Sequence, residues 1–253
     1  MKIQYVFVIL LAGLFVACGS RKHPNQALAN QQDTLTISLT EEVVEPPVKK
    51  LSEAALKLAS AGYVNIQDLD STIAVEIIYA TSNNFVGEVL YDDLTEAYLL
   101  QEAAEKLVKA HQLLKEKYPD YRFVVYDAAR PMSVQKRMWA VAVKNGWSHS
   151  YVANPAKGGG LHNYGAAVDL TILDNNGVPL SMGTAFDFFG EEAHTNKERE
   201  LVKQGKITEQ ELTNRLLLRG IMKKAGFTSI SSEWWHFNHC SRKVAIEKYQ
   251  LIE

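Results

Sequence analysis

Cysteine is scarce: two in 253 residues, too few for a disulfide framework. Positive charge is not in surplus either. Twenty-seven Lys and Arg stand against 29 Asp and Glu, a formal net charge of −2. A general nucleic-acid binder needs a basic excess to attract phosphate, so no nucleic-acid partner is expected. There is no internal repeat, and no apolar run long enough to cross a bilayer comfortably. Charged residues amount to 22% and apolar ones to 47%, which excludes wholesale disorder. What remains is an ordinary globular chain of one large domain or two small ones.

The N-terminus does not belong to that globule. Lys2 precedes thirteen uncharged residues, 5–17, the length of a signal-peptide core. The core ends in Phe15-Val16-Ala17-Cys18, which resembles the lipobox of bacterial lipoproteins, with Phe15 where Leu is usual. The resemblance implies a signal peptide over residues 1–17, a lipid on Cys18 and membrane attachment through it. The localisation would be the cell envelope, periplasmic or surface-exposed. The alternative is an ordinary secretory signal, which would leave a free thiol in an oxidising compartment. Residues 19–50 are rich in Asn, Gln, Pro, Glu and Lys and show no apolar period. They read as a flexible tether, so the folded domain is expected over 51–253.

Within that domain the pattern predicts a short helix over 51–61 and a β-branched strand over 73–79. A long helix follows, with Thr95 as N-cap and Leu99, Ala103, Leu107, Ala110 and Leu114 on one face. Strands are expected over 121–126 and 166–172, and a helix over 133–145 stopped by Gly146. Thr208 and Glu211 form a capping box for a helix running to Ala225, and an extended segment over 233–237 closes the domain. Helices and strands interleave without a regular βαβ rhythm. The expected class is α+β, a single domain with a central, mostly antiparallel sheet flanked by helices.

Three stretches concentrate the chemistry: Asp127-Ala128-Ala129-Arg130-Pro131, then His162 through Asp169, then Glu233-Trp234-Trp235-His236. On the second strand Val168, Leu170 and Ile172 alternate with Asp169, so Asp169 points away from their face. Gly165 lets the chain turn and bring His162 back beside it. A loop His near a strand Asp is also a common structural pair. The third stretch favours a site. Glu233 and His236 are too close on a straight strand to ligate one ion together, so His236 suits a third ligand and Glu233 a base. Two His and a carboxylate with an open fourth position form a catalytic zinc pattern. Zinc acidifies a water, and a nearby carboxylate can take its proton. Arg130 cannot lose its charge, which suits an oxyanion, although a surface ion pair would explain it too. Asp187 lies between Phe186 and Phe188, where a carboxylate needs a cation; its other reading is a helix N-cap.

At this level the chain resembles the D-alanyl-D-alanine dipeptidases of the VanX type, zinc peptidases whose fold is shared with D,D-carboxypeptidases and Hedgehog-like domains. The resemblance runs from about Tyr63 to the C-terminus. It rests on Tyr79-Ala80-Thr81, Asn84-Phe85-Val86-Gly87, Arg130-Pro131, the stretch from His162 to Asp169, Met182-Gly183-Thr184-Ala185-Phe186-Asp187-Phe188, and Glu233-Trp234-Trp235-His236. It implies one zinc ion per chain held by His162, Asp169 and His236. It also implies Glu233 as catalytic base, Arg130 on the oxyanion and Asp187 on the substrate ammonium. The implied substrate is D-Ala-D-Ala or a related short dipeptide of cell-wall metabolism. Two departures are visible: Gly160 stands where the family usually has Ser, and Ala129 where it often has Tyr. Both remove polar groups near the substrate and widen the expected range of peptides.

Two other functions fit the same residues. One is a D,D- or L,D-carboxypeptidase trimming peptidoglycan stems; the other is a zinc-containing wall-binding module without turnover, which would need neither Glu233 nor Arg130. His239 and Cys240 read as structural, His149 and His194 as solvated, His111 as a helix residue without a role, and residues 197–200 as a charged surface run. Oligomeric state is not encoded in any of these patterns.

Overall fold

The protein was analysed as a computed structural model, which describes residues 51–147 and 151–253. The expected signal peptide, Cys18, the tether and His149 lie outside the described residues.

The chain enters through α1 (Glu53–Ser60), β1 (Tyr63–Asn65), α2 (Ile66–Leu69), β2 (Ala74–Val75) and β3 (Tyr98–Leu100). Then come α3 (Gln101–Lys117), β4 (Arg122–Asp127), α4 (Met132–Lys144) and β5 (Ala167–Leu173). The C-terminal part holds α5 (Glu198–Lys203), α6 (Glu209–Lys224), β6 (Thr228–Ser229), β7 (His236–Asn238) and α7 (Arg242–Lys248). Five strands form the central sheet in the order β2-β4-β5-β7-β6, and only the β2–β4 pair is parallel. The mixed, mostly antiparallel α+β expectation therefore holds.

Several expected boundaries shift. The strand over 73–79 shrinks to two residues, and Ile78–Ala80 winds into a 3₁₀ turn that buries Tyr79. The long helix begins at Gln101, not after Thr95, because residues 98–100 pair antiparallel with Tyr63–Asn65 first. Glu233 lies ahead of β7 rather than in it. The Thr208–Glu211 capping box forms, each side chain accepting from the other residue's backbone N–H. Residues 197–200 are not simply a surface run. Glu198 is buried and held by Arg219 on α6, because helix α5 packs that side inward.

The sheet has a core on both faces. Phe123, Val125, Val168, Leu170 and Ile172 belong to the main core with α3 residues Leu107 and Leu114. Val124, Tyr126 and Leu173 cluster on the other face beneath Phe186. Phe186 belongs to the loop over 182–189, which is fastened from several directions. Arg215 Nε donates to the Met182 carbonyl at 2.6 Å, Asn214 to the Ser181 carbonyl at 2.9 Å and Trp234 Nε1 to Thr184 Oγ1 at 2.8 Å. Trp234 and Trp235 are both core residues, 4% and 1% exposed.

Candidate metal and catalytic site

The site is a row across three neighbouring strands. In register, Asp127 of β4 stands opposite Asp169 of β5, and Asp169 opposite His236 of β7. A bulge makes the first pairing: Val125 pairs with Leu170, but the next partner of β4 is Asp127, so Tyr126 is the extra residue. A bulge of this kind re-aims a side chain, and here it turns Asp127 to the side of Asp169. His162 arrives from the 3₁₀ turn Leu161–Tyr164. Two glycines make that turn: a Cβ on Gly159 (φ +61°) would fall 2.1 Å from Asn163 Oδ1, and one on Gly165 (φ +63°) 2.4 Å from the Tyr63 ring. Asn163 then stitches the turn to the Arg130 segment, donating to the Arg130 carbonyl at 2.8 Å while Arg130 N–H donates to the His162 carbonyl at 3.0 Å.

Three donor atoms converge. His162 Nε2 lies 3.1 Å from His236 Nδ1 and 3.3 Å from Asp169 Oδ2, and His236 Nδ1 lies 2.9 Å from Asp169 Oδ1. The outer nitrogens are occupied. His162 Nδ1 is 2.8 Å from the Ala128 carbonyl, which only accepts, so that nitrogen carries the proton and Nε2 keeps its lone pair. His236 Nε2 likewise faces Asn238 Oδ1 at 2.7 Å, leaving Nδ1 free. Lone pairs aimed at one point with their proton positions already used repel unless a cation sits among them. Among the described residues this is the one His/Cys/Asp/Glu cluster with ligand atoms all within 4.8 Å of one another. The donor set therefore fits zinc, with two imidazoles, one carboxylate and a supporting partner on each ring.

Glu233 stands beside this cluster without joining it, Oε2 lying 3.9 Å from His236 Nδ1. Burial pushes its carboxyl up to about 8; His236 opposes the rise, while Asp169 and Asp187 add to it. Arg130 is not the surface pair considered above. Its Nε and Nη2 donate to Asp127 Oδ2, at 2.9 and 2.5 Å, and Nη1 to Gln135 Oε1 at 2.9 Å. Tyr91 Oη in turn donates to Asp127 Oδ1 at 2.9 Å. Burial works against the guanidinium charge, yet Asp127 holds it well above its ordinary value.

Asp187 does not cap a helix. It is the one non-glycine residue with positive φ (57°) among the described residues, and Tyr79 Oη donates to its Oδ2 at 2.7 Å. Left-handed backbone at Asp carries strain that a fold retains where the side chain must be aimed. Burial drives its carboxyl up to about 8, a rise that the Tyr79 bond opposes. Asp127, Asp169, Asp187 and Glu233 thus crowd around Arg130, an acidic surplus suited to a bound metal cation and an ammonium group. Arg130, His162, Asp169, Asp187, Glu233 and His236 all line one cavity of about 340 Å³, on the scale of a small dipeptide. A larger cavity of about 710 Å³, between α1 and the C-terminal residues 248–253, holds none of them.

Sequence reasoning singled out the stretch containing Asp127 without giving that residue a role, and it missed Tyr91, Gln135 and Asn238. Asp127 was visible three residues before Arg130, and Asn238 two residues past His236 on one strand face. Tyr91 and Gln135 carry no local signal. His111, expected to be idle, is fully buried with Nδ1 2.8 Å from Asp70 Oδ2, and His194 has a buried Nε2 rather than a solvated ring.

The sequence pattern of the M15 peptidases, D-Ala-D-Ala dipeptidase, matches residues 59–251. The chain is 32% identical over 165 residues to a D-alanyl-D-alanine dipeptidase of Escherichia coli strain K12, which covers 65% of this chain and 78% of that protein. It is 28% identical over 195 residues to that of Enterococcus faecium, covering 70% and 90% respectively. A third, from Synechocystis, is 30% identical over 162 residues, 53% of this chain and 66% of that protein. With a match spanning nearly the whole described domain, the chain belongs to the D-Ala-D-Ala dipeptidase family of peptidases.

Proposed function

We propose that this protein hydrolyses D-Ala-D-Ala, or a closely related short dipeptide of cell-wall metabolism, as a zinc peptidase. The observation that carries the reading is the convergence of His162, Asp169 and His236 in a cavity that also holds Glu233, Arg130 and Asp187. His162, Asp169 and His236 are the zinc ligands, one ion per chain. Zinc held there supplies Lewis acidity and makes a water nucleophilic near neutral pH. Glu233 takes the proton from the attacking water and passes it to the departing amine nitrogen as the C–N bond breaks. Its burial favours the protonated form, while a cation held at the neighbouring cluster would favour the carboxylate, so the two opposing influences suit a residue that both takes and returns a proton. Arg130, fixed by Asp127 and Gln135, offers its charge to the carbonyl oxygen as negative charge develops. Asp187 pairs with the substrate ammonium.

The amino-end carboxylate favours a dipeptidase over a D,D- or L,D-carboxypeptidase trimming stem peptides, because a stem peptide would bring an acylated nitrogen to Asp187. The full set of Glu233 and Arg130 beside the ligands favours turnover over a binding module. The fold name that suits this reading is that shared with D,D-carboxypeptidases and Hedgehog-like domains. The proposed organisation is a signal peptide over 1–17, a lipidated Cys18 and tether over 18–50, and the peptidase domain over 51–253. The enzyme would be held by its lipid in the cell envelope. The test is incubation of the zinc-loaded domain with D,D-, L,D- and L,L-dipeptides and a stem pentapeptide, with products identified. Free D-alanine from D-Ala-D-Ala alone or fastest supports the reading; cleavage confined to the pentapeptide rejects it.

A further inference from the structure

The reaction proposed above, on which this inference rests, leaves one charge of a free dipeptide unassigned, its terminal carboxylate. A carboxylate leaving water for a cavity needs a cation or several N–H donors. Among the described residues lining the 340 Å³ cavity, two carry a permanent positive charge, Arg130 and Arg242. Arg130 is already assigned to the scissile carbonyl oxygen, three of its five N–H donors are held by Asp127 and Gln135, and its guanidinium lies 5.4 Å from the ring centre of Tyr79, which bonds Asp187. Arg242 is the first residue of α7 and reaches across to the glycine loop over 157–160. Its Nη1 donates to the Gly159 carbonyl and its Nη2 to the Lys157 carbonyl. Those bonds occupy two of the five N–H donors of a guanidinium and fix its plane. Beside it Gly160 contributes no side chain to the cavity.

We infer that Arg242 is the specificity-determining residue that receives the substrate's terminal carboxylate. The cavity then reads a dipeptide by its two ends: Asp187 takes the ammonium, Arg242 the carboxylate, and the peptide bond lies between them at the His162, Asp169 and His236 cluster. This gives the site a length gauge built from two opposite charges lining one cavity. It also supplies a carboxylate partner where Gly160 offers no hydroxyl.

The test compares D-Ala-D-Ala with its C-terminal amide, which keeps the ammonium and the scissile bond but loses the anionic end. In the zinc-loaded protein, Arg242→Ala should lower kcat/KM for the free acid about tenfold, mainly through KM, as expected for a charge-assisted contact at a partly exposed rim. The ratio of kcat/KM between acid and amide should fall by the same factor. Arg242→Lys, which keeps the charge but loses the planar fork, should recover part of that ratio. Thermal melting alongside reports whether the 157–160 loop has lost its anchor. Equal losses on acid and amide, or no loss on either, overturn the inference, since a residue that only clamps the loop has no reason to distinguish the two substrates. A wild-type protein that cleaves neither substrate removes the dipeptidase reading itself, and this inference with it.

Discussion

Asp187→Asn separates the charge of the amino-end residue from its shape. Asparagine tolerates left-handed backbone, so the φ of 57° is retained, and its amide oxygen can still accept from Tyr79 Oη. Only the negative charge goes. A charge-assisted hydrogen bond to the substrate ammonium is worth about 1.5–3 kcal/mol. That corresponds to roughly a ten- to hundredfold loss of kcat/KM on a free dipeptide. An N-acetylated dipeptide has no ammonium to lose, so the preference for free over acetylated substrate should shrink by the same factor. D-alanine release from both substrates measures this directly. A second readout is stability in the metal-free protein. Burial raises the Asp187 carboxyl from 3.8 to about 8, so the fold prefers its neutral form. The stability it contributes is complete below about pH 4 and is lost as pH rises through 8. The melting temperature of chelator-treated wild type should therefore fall between pH 5 and 8.5, and fall less in Asp187→Asn. An unchanged preference together with an unchanged pH profile would refute the assignment. If the wild-type enzyme cleaves free and acetylated dipeptides equally, the carboxypeptidase reading takes its place.

Glu233→Gln should keep its zinc and lose on the order of 10²–10⁴-fold in kcat, the usual contribution of a general base; full turnover with bound metal removes Glu233 from that role. His236→Ala should fail to retain zinc in elemental analysis after dialysis, and a full equivalent would reject it as a ligand. Tyr91→Phe removes the hydroxyl that supports Asp127 behind Arg130. It should cost about 1–2 kcal/mol of stability and lower kcat more than it raises KM; a pure KM effect would place Arg130 on ground-state binding.

That His162, Asp169, His236, Glu233 and Arg130 come together could be read from residue type and order because each stands in a short segment beside a strand. Alternation correctly sent Asp169 to the face opposite Val168, Leu170 and Ile172. What alternation cannot show is that this second face is also buried, since the cover comes from a loop more than ten residues away in sequence, over 182–189. Nor does it show the bulge at Tyr126, which depends on pairing between strands and which alone brings Asp127 beside Asp169. The strand expected over 73–79 and the helix start after Thr95 failed for a related reason. Local propensity gave way to the pairing of residues 98–100 with 63–65 and to the burial of Tyr79 against Asp187. Glu198 looked like one charge in a solvated run, and only the packing of α5 on α6 gives it Arg219 as a partner.

The central claim is that the His162, Asp169 and His236 cluster holds the zinc that drives D-Ala-D-Ala hydrolysis. The most direct measurement is a zinc titration of the chelator-stripped domain, following D-alanine released from D-Ala-D-Ala. The account predicts no release without metal and full rate at one equivalent of zinc per chain. Release that persists after the metal is removed, or no release at any zinc concentration, would contradict it.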